Sequence, residues 1–418
     1  MNELVNELAN PVITPASEPL HAVVIKTEPR RVIQLDFLRG VAILLVLGSH
    51  GTTLILPENA GRFRPLAEFF ERFGWTGVDL FFVLSGFLVG GLLLRELKKQ
   101  GTLNIRRFII RRGLKIWPTY FVFLGWLILQ SLRAHHSLSA AIHPLLPNLL
   151  HIQNYVYMTQ EFTWSLAVEE HFYLLLPLVL WLLTRRQERN RLALFPFLFA
   201  IIAVFCLLMR FQAQIQYPWH SGIPITWDWK VFMPTHLRMD GLMFGVLLAY
   251  FTHFRPQVLD AVARSSKRRW FLLAGGLALI SPMLFCSRSE AHWVVPVYTL
   301  GVTLLYLGYG CILVACVYTK TAAGTPGKLF QTKMAKVIAG IGFYSYPIYL
   351  WHINQGRDRA LHYLHAGKFA HLGETSRWFV TISLYMACAI VFGIVFSRIL
   401  EMPVLALRER LFPEPARK

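Results

Sequence analysis

Charge is scarce in this chain. Asp, Glu, Lys and Arg make up 16% of 418 residues, against about 25% in a soluble domain. Cysteine occurs five times, at Cys206, Cys286, Cys311, Cys316 and Cys388. None has a C-x-x-C or Cys/His spacing, so neither a disulfide framework nor a metal site is readable. G-x-x-x-x-G-K-[ST] and G-x-G-x-x-G do not occur, which speaks against a P-loop or a Rossmann site. Residues 1–31 lack the basic start and apolar stretch of a signal peptide. With Pro11, Pro15, Pro19 and Pro29 they read as a polar tail. What is abundant is apolar surface: 55% of residues are hydrophobic, and the mean hydropathy is +0.45. A soluble chain of this size cannot hide that much. An ordinary soluble enzyme, a disordered chain and a fibre are excluded, and a polytopic membrane protein remains.

The expected architecture is all-α, a membrane bundle of about ten transmembrane helices. The bilayer core needs about 20 helical residues per span. Suitable runs cover 33–52, 75–94, 116–132, 164–184, 192–209, 235–253, 270–286, 294–318, 337–352 and 378–397. Segment 144–158 is short and interrupted by Pro147, and suits a re-entrant or interfacial piece. With the N-terminus inside, cytoplasmic segments carry 29 Lys/Arg and outer segments 11. This bias follows the positive-inside rule and places both termini in the cytoplasm. It also accounts for the net charge of +19 without nucleic acid, because the basic residues alternate with spans. The expected organisation is a polar cytoplasmic tail over 1–32, a transmembrane domain over 33–402 and a short basic cytoplasmic tail over 403–418.

Ionisable residues inside a bilayer cost at least about 2.5–3.5 kcal/mol and mark a site by default. The first span contains Asp36, Arg39 and His50. Asp36 and Arg39 are i,i+3 neighbours able to pair. Arg39 and His50 share a helix face, about 16 Å apart along the axis. Asp79 opens the second span, Glu169 and Glu170 the fourth, Arg238 and Asp240 the sixth, and His352 ends the ninth. In the ten-span arrangement these residues and His50 gather near the outer level, which predicts a polar chamber. Trp75 and Trp164 stand beside it, suited to stacking on a sugar. On the opposite side, Arg106, Arg107, Arg111, Arg112 and Lys115 form a basic cluster. It suits lipid headgroups or a phosphorylated cytosolic ligand, because guanidinium matches phosphate in a fork. Pro118 is expected to start or kink the following helix. Gly86 and Gly90 form a GxxxG, suited to close helix packing.

The chain resembles the acyltransferase 3 family of integral membrane acyltransferases, from about Ile33 to Met402. The resemblance rests on LDFLRGVAILLVLGSH with its Arg39-x10-His50, GVDLFFVLSGFL at 77–88, RRGLKIWPTY at 111–120, WSLAVEEHFYLLLP at 164–177 and FYSYPIYLWH at 343–352. It implies transfer of an acyl group, often acetyl, from cytoplasmic acyl-CoA to a hydroxyl. The acceptor is commonly a cell-envelope glycan, in some members a lipid or small molecule, and the setting is a bacterial cell membrane. The family's Arg and His fall on Arg39 and His50, and its Arg-x-x-Arg on Arg112 and Lys115. Lysine lacks the planar fork of arginine, so Lys115 departs from the pattern. His171 stands where the family often has glutamine. The chain ends at Lys418 without the hydrolase-like domain of some relatives, which suggests a stand-alone transferase.

Together these readings predict one mechanism. Acyl-CoA phosphates bind near Arg107, Arg111, Arg112, Lys115 and Tyr120, and the pantetheine arm brings the thioester towards His50. His50 is the general base, since a neutral imidazole with an ordinary pKa near 6.5 suits proton abstraction. Glu169 or Asp79 orients its ring. Arg39, held by Asp36, stabilises the oxyanion or the CoA arm. Glu170, Arg238, Asp240, His352, Trp75 and Trp164 contact the acceptor. A covalent acyl-histidine route stays open. Ser49, Ser85 and Ser165 are alternative nucleophiles, although none lies in G-x-S-x-G. Acyl-CoA, expected to be acetyl-CoA, is the donor substrate, and no permanently bound cofactor or metal is expected. The competing class is a proton-coupled transporter or flippase, which intramembrane charges suit equally.

Overall fold

The computed structural model describes residues 32–55, 57–156, 160–184, 189–219, 228–286, 291–318 and 328–413. The tail expected over 1–31 lies outside them. The described residues are helical, with no strand among them. The framework helices are α1 (Ile33–Gly51), α2 (Arg64–Phe73), α3 (Gly77–Gln100), α4 (Ile105–Arg133), α5 (Trp164–Thr184), α6 (Phe195–Gln216), α7 (Thr235–Phe254), α8 (Ser266–Ile280), α9 (Val302–Val317), α10 (Lys333–Phe343), α11 (Ser345–Trp351), α12 (Glu374–Phe396) and α13 (Met402–Leu411).

Six stretches are long and apolar enough to cross a membrane: Ile33–Gly51, Pro57–Gln100, Glu161–Thr184, Leu192–Gln216, Trp293–Val317 and Glu374–Leu411. The remaining expected spans are helical but differ in kind. The basic cluster opens α4, and α7 carries Arg238 and Asp240. Helix α8 has 15 residues. The 337–352 run divides into α10 and α11 at Tyr344. Large apolar side chains point outward along α6, with Phe197 68% and Ile215 81% exposed. An apolar outer surface is what a bundle in hydrocarbon needs, because lipid tails solvate it as well as a protein core would.

Helix α4 does not start at Pro118. It begins at Ile105, where the Asn104 side chain accepts from the Arg107 amide, and runs through Pro118 to Arg133. The basic cluster is therefore the opening of the same helix that continues into the apolar stretch. Helix α3 stops at Gly101, whose positive φ of 73° and N–H to the Leu97 carbonyl form a left-handed C-cap. The GxxxG of α3 meets α7 closely: a Cβ on Gly86 would lie 1.9 Å from the Leu242 carbonyl oxygen. Only glycine lets these two backbones touch.

Of segment 144–158, residues 144–156 are described, and they pack at the starts of α5 and α7. Its Asn148 Nδ2 donates to Thr163 Oγ1 at 2.9 Å, and Asn154 Nδ2 donates to Thr235 Oγ1 at 2.7 Å. These buried amides tie the segment to α5 and α7.

Candidate active site: a basic cleft leading to a histidine pair

A cleft with about 780 Å³ of empty volume opens between α1, α3, α4, α5, α10 and α11. Arg39, Arg112 and Lys115 line it, opposed by Glu169 and Glu401. Ser85, Ser165, Tyr346 and Tyr349 add hydroxyls, and Phe81 and Phe82 an apolar wall.

Helical periodicity sorts the basic cluster into two faces. Arg112 and Lys115 are i,i+3 and line the cleft. Arg107 and Arg111 are i,i+4 and face the C-terminal segment. Arg111 Nη2 bonds Glu409 at 2.9 Å and its Nη1 donates to the Phe412 carbonyl. Arg107 donates to the Pro413 carbonyl. The expected CoA-binding residues are therefore divided, with two inside the cleft and two outside it. Tyr120 lies apart: it is buried, its hydroxyl donates to the Asn148 carbonyl at 3.1 Å, and its ring stacks on His151 at 4.9 Å.

The structure gives the expected carboxylates different surroundings. Glu169 lines the basic cleft, among charges that include Arg39 and Arg112. The Tyr173 hydroxyl, 2.7 Å from Glu169 Oε2, connects it to Arg112. Asp36 neighbours Arg39 on α1 and acts on its charge. Glu170 is buried and accepts from Trp117 Nε1 at 3.2 Å.

Asp79 is committed elsewhere. It bonds Arg238 at 2.6 Å, with both side chains almost fully buried. Arg238 is boxed by Phe232, Phe82 and Trp164, its guanidinium carbon 4.2, 5.6 and 5.6 Å from their ring centroids. Trp75 packs edge-on to Phe232 at 5.7 Å. Asp240 pairs with Arg210 at 2.7 Å. Trp75 and Trp164 thus pack among protein side chains, and Arg238 and Asp240 are locked in ion pairs outside the lining of the cleft. Arg210, which a span ending at 209 leaves outside, sits within α6 and is 1% exposed.

His50 and His352 are brought together. Their ring centroids lie 4.9 Å apart at an interplanar angle of 53°. His352 is fully buried and opens a π-helical turn, His352–Arg357. Such turns are frequent at functional sites. Tyr349, one turn earlier, lines the cleft and bonds Ser165 through its hydroxyl at 2.6 Å. Its ring lies 5.6 Å from that of His352. A continuous series of side chains thus runs from the basic cleft to the histidine pair. Tyr173, Tyr349, Tyr346 and Glu401 were not singled out from the sequence. The signals available were Tyr173 at i+4 from Glu169 and Tyr349 at i−3 from His352.

Among the described residues, no group of three or more His, Cys, Asp or Glu could hold a metal ion. The five cysteines are free, and the serines Ser85 and Ser165 are hydroxyl-bonded to tyrosines.

A family described as an acyltransferase domain matches residues 32–401. A Staphylococcus aureus (strain COL) protein named as a candidate O-acetyltransferase is 28% identical over 88% of this chain and 56% of its own length. The peptidoglycan O-acetyltransferase OatA of Listeria monocytogenes is 26% identical over 76% of this chain and 48% of its own. The O-acetyltransferase OatA of S. aureus (strain NCTC 8325) is 24% identical over 67% of this chain and 45% of its own. The chain thus spans about half the length of the curated relatives it matches. No solved structure matches it significantly. With the match covering nearly all of the helical bundle, the chain belongs to the acyltransferase 3 family of membrane acyltransferases.

Proposed function

We propose that this protein transfers an acetyl group from acetyl-CoA to a hydroxyl of a cell-envelope glycan. The observation that carries the reading is the cleft itself: three half-buried cations, hydroxyls along its wall, and a histidine pair beyond Tyr349. The likeness to peptidoglycan O-acetyltransferase supports the glycan acceptor. The positive-inside bias supports ten spans with both termini cytoplasmic, in a bacterial cell membrane. In that orientation the α4 cations face the cytoplasm, where acyl-CoA is found.

Arg112, Lys115 and Arg39 receive the phosphates and the arm of the donor. Arginine and lysine neutralise phosphate by charge-assisted hydrogen bonds. The arm runs past Ser85, Ser165 and Tyr349 towards His50. His50 takes the proton of the acceptor hydroxyl as the oxygen attacks the thioester carbonyl. The C–S bond breaks, the acyl C–O bond forms, and the proton leaves with the CoA thiolate to give the free thiol. Arg39 supplies positive charge along this route, beside the hydroxyl oxygens of Ser165 and Tyr349.

The test is thiol release from radiolabelled acetyl-CoA by purified protein, with a crude envelope-glycan fraction as acceptor. Acceptor-dependent release, lost in His50→Ala while CoA still binds, supports the reading. Absence of CoA binding by the wild type overturns it and turns attention to transport.

A further inference from the structure

A cleft with Arg39, Arg112 and Lys115 in its lining suits an anion, yet two carboxylates line it as well. A carboxylate repels phosphate, so each needs a reason to be there. Glu169 has one: the Tyr173 hydroxyl lies 2.7 Å from its Oε2 and connects it to Arg112. Glu401 does not. It is only 7% exposed, yet it lines the cleft. Among the described residues its carboxylate makes no ion pair and one hydrogen bond, from Ser397 Oγ to Oε2 at 2.7 Å. That bond fixes the carboxylate and leaves Oε1 for the cleft. Its charge acts on Lys115 across the same cleft. The local backbone holds it in place. Ser397–Glu401 is a π-helical turn, and Pro403, which has no N–H to close an α-helical bond, stands just beyond it. Such turns are frequent at functional sites.

We propose that Glu401 is a specificity residue for the acyl donor, its Oε1 accepting an N–H or O–H of CoA outside the phosphate groups. This rests on the reading of the cleft as the CoA site. A carboxylate offers acceptors only. Of the parts of CoA it therefore suits the amide N–H groups and hydroxyl of the pantetheine arm, or the amino group and hydroxyl of the adenosine. Cations alone would admit any polyphosphate. A carboxylate among them opposes a bare phosphate and favours a ligand that also brings a donor, which selects CoA over free phosphates. The bond is charge-assisted, about twice as strong as one to a neutral acceptor.

The experiment titrates CoA and inorganic pyrophosphate into the full-length detergent-purified wild type, Glu401→Gln and Glu401→Met, each checked by thermal unfolding. Pyrophosphate carries the charge without the rest of CoA, so the ratio of the two affinities removes the gain both ligands share when a like charge is lost. The ratio of CoA to pyrophosphate affinity is expected to fall about tenfold in Glu401→Met, ~1.4 kcal/mol. In Glu401→Gln, whose amide oxygen accepts without charge, it falls about threefold. Pyrophosphate itself binds more tightly in both. Adenosine 3′,5′-bisphosphate and 4′-phosphopantetheine, titrated separately, locate the donor: the fragment that carries it loses affinity in the same ratio, and loss in neither overturns the proposal. Equal tightening of CoA and pyrophosphate overturns it too and makes Glu401 a counter-charge to Lys115. An unchanged ratio in Glu401→Gln does so even where Glu401→Met fails to fold. A wild type that binds pyrophosphate but not CoA overturns the reading of the cleft, and the specificity role falls with it.

Discussion

The guanidinium of Arg112 lies over the Tyr173 ring, 3.9 Å from its centroid, and donates to the tyrosine hydroxyl. That hydroxyl also lies 2.7 Å from Glu169 and 2.5 Å from Ser85. Tyr173 thus stands between a cation and a carboxylate that would otherwise pair. The separation matters for a site that must receive an anion. A guanidinium neutralised by Glu169 would have less charge to offer a phosphate, while a cation resting on an aromatic face is held and keeps it.

Tyr173→Phe tests this arrangement. The ring face survives, but the bridge between Glu169 and Arg112 is lost, and the two charges can pair directly. CoA binding is expected to weaken about tenfold, ~1.4 kcal/mol. Isothermal titration with CoA reads the change. An unaltered Kd would show that Tyr173 merely packs against α4.

The Arg210–Asp240 pair predicts loss of stability rather than of chemistry. Its side chains are 1% and 0% exposed. Arg210 also donates to the Leu237 carbonyl at 3.0 Å and to Thr303 at 2.9 Å, joining α6, α7 and α9. Removing one partner of a buried pair costs about 3–5 kcal/mol, because the other is left charged and unpaired. Asp240→Asn is expected to lower the detergent unfolding temperature and the yield of monodisperse protein. The kcat of the surviving folded fraction should match wild type. A folded variant with a raised acceptor KM would restore the acceptor role expected from the sequence.

Much of this was legible in the residues, for definite reasons. Hydropathy marks a span because the bilayer has one thickness, so the apolar stretches were readable. The Arg39-x10-His50 spacing and the motif at 343–352 pointed to both members of the histidine pair. The partners of each charge were not readable. Asp79, Arg238 and Asp240 carry the same signature as catalytic residues, namely a cost inside the membrane. Only packing shows that Asp79 meets Arg238 and that Asp240 meets Arg210. The direction each side chain faces was not readable either. Glu169 and Glu170 are adjacent, yet one lines the cleft and the other accepts from Trp117, since successive helical residues point about 100° apart. The division of the basic cluster was available from periodicity, once α4 is seen to start before it and not at Pro118.

The α1–α10 contact predicts a second, sharper stability effect. A Cβ on Gly40 would lie 2.1 Å from the Ile338 carbonyl oxygen, and one on Gly342 1.9 Å from the Asp36 carbonyl oxygen. Both obstacles are backbone, so the helices themselves must separate. Gly40→Ala is expected to cost at least about 1–3 kcal/mol, as overpacking does, and to shift the neighbouring Arg39. Thermal unfolding and CoA affinity should both fall. Gly340→Ala, with nothing within 4 Å of its Cβ, is the control and should change neither.

Glu409→Gln addresses the outer half of the basic cluster. The Arg111–Glu409 pair is partly exposed, at 16% and 47%, so its contribution to stability is about 0–1 kcal/mol. Its loss removes a negative charge from beside Arg111, which keeps its bond to the Phe412 carbonyl, and so raises the positive potential on this side of α4. CoA is expected to bind two- to threefold tighter at low salt, with the gain vanishing as screening shortens to a few ångströms near 1 M. A gain that persists at high salt would place the effect in packing of α13.

His151 gives the molecule a pH dependence that is separate from its chemistry. It lies in the segment packed at the starts of α5 and α7, stacked on Tyr120, with a positive φ of 53°. Burial pushes its imidazole down to about 4, helped by nearby His171. In the unfolded chain it titrates near an ordinary 6.5. Between these values the unfolded state binds more protons, so stability rises with pH. The contribution is complete above about pH 6.5 and is lost as pH falls towards 4. His151→Gln removes the titrating group while keeping a polar side chain. Thermal unfolding of wild type from pH 7.5 to 4.5 should show a decline that is shallower in the variant. Parallel curves would mean that other buried groups set the acid sensitivity, and that the His151 ring protonates without leaving its place on Tyr120.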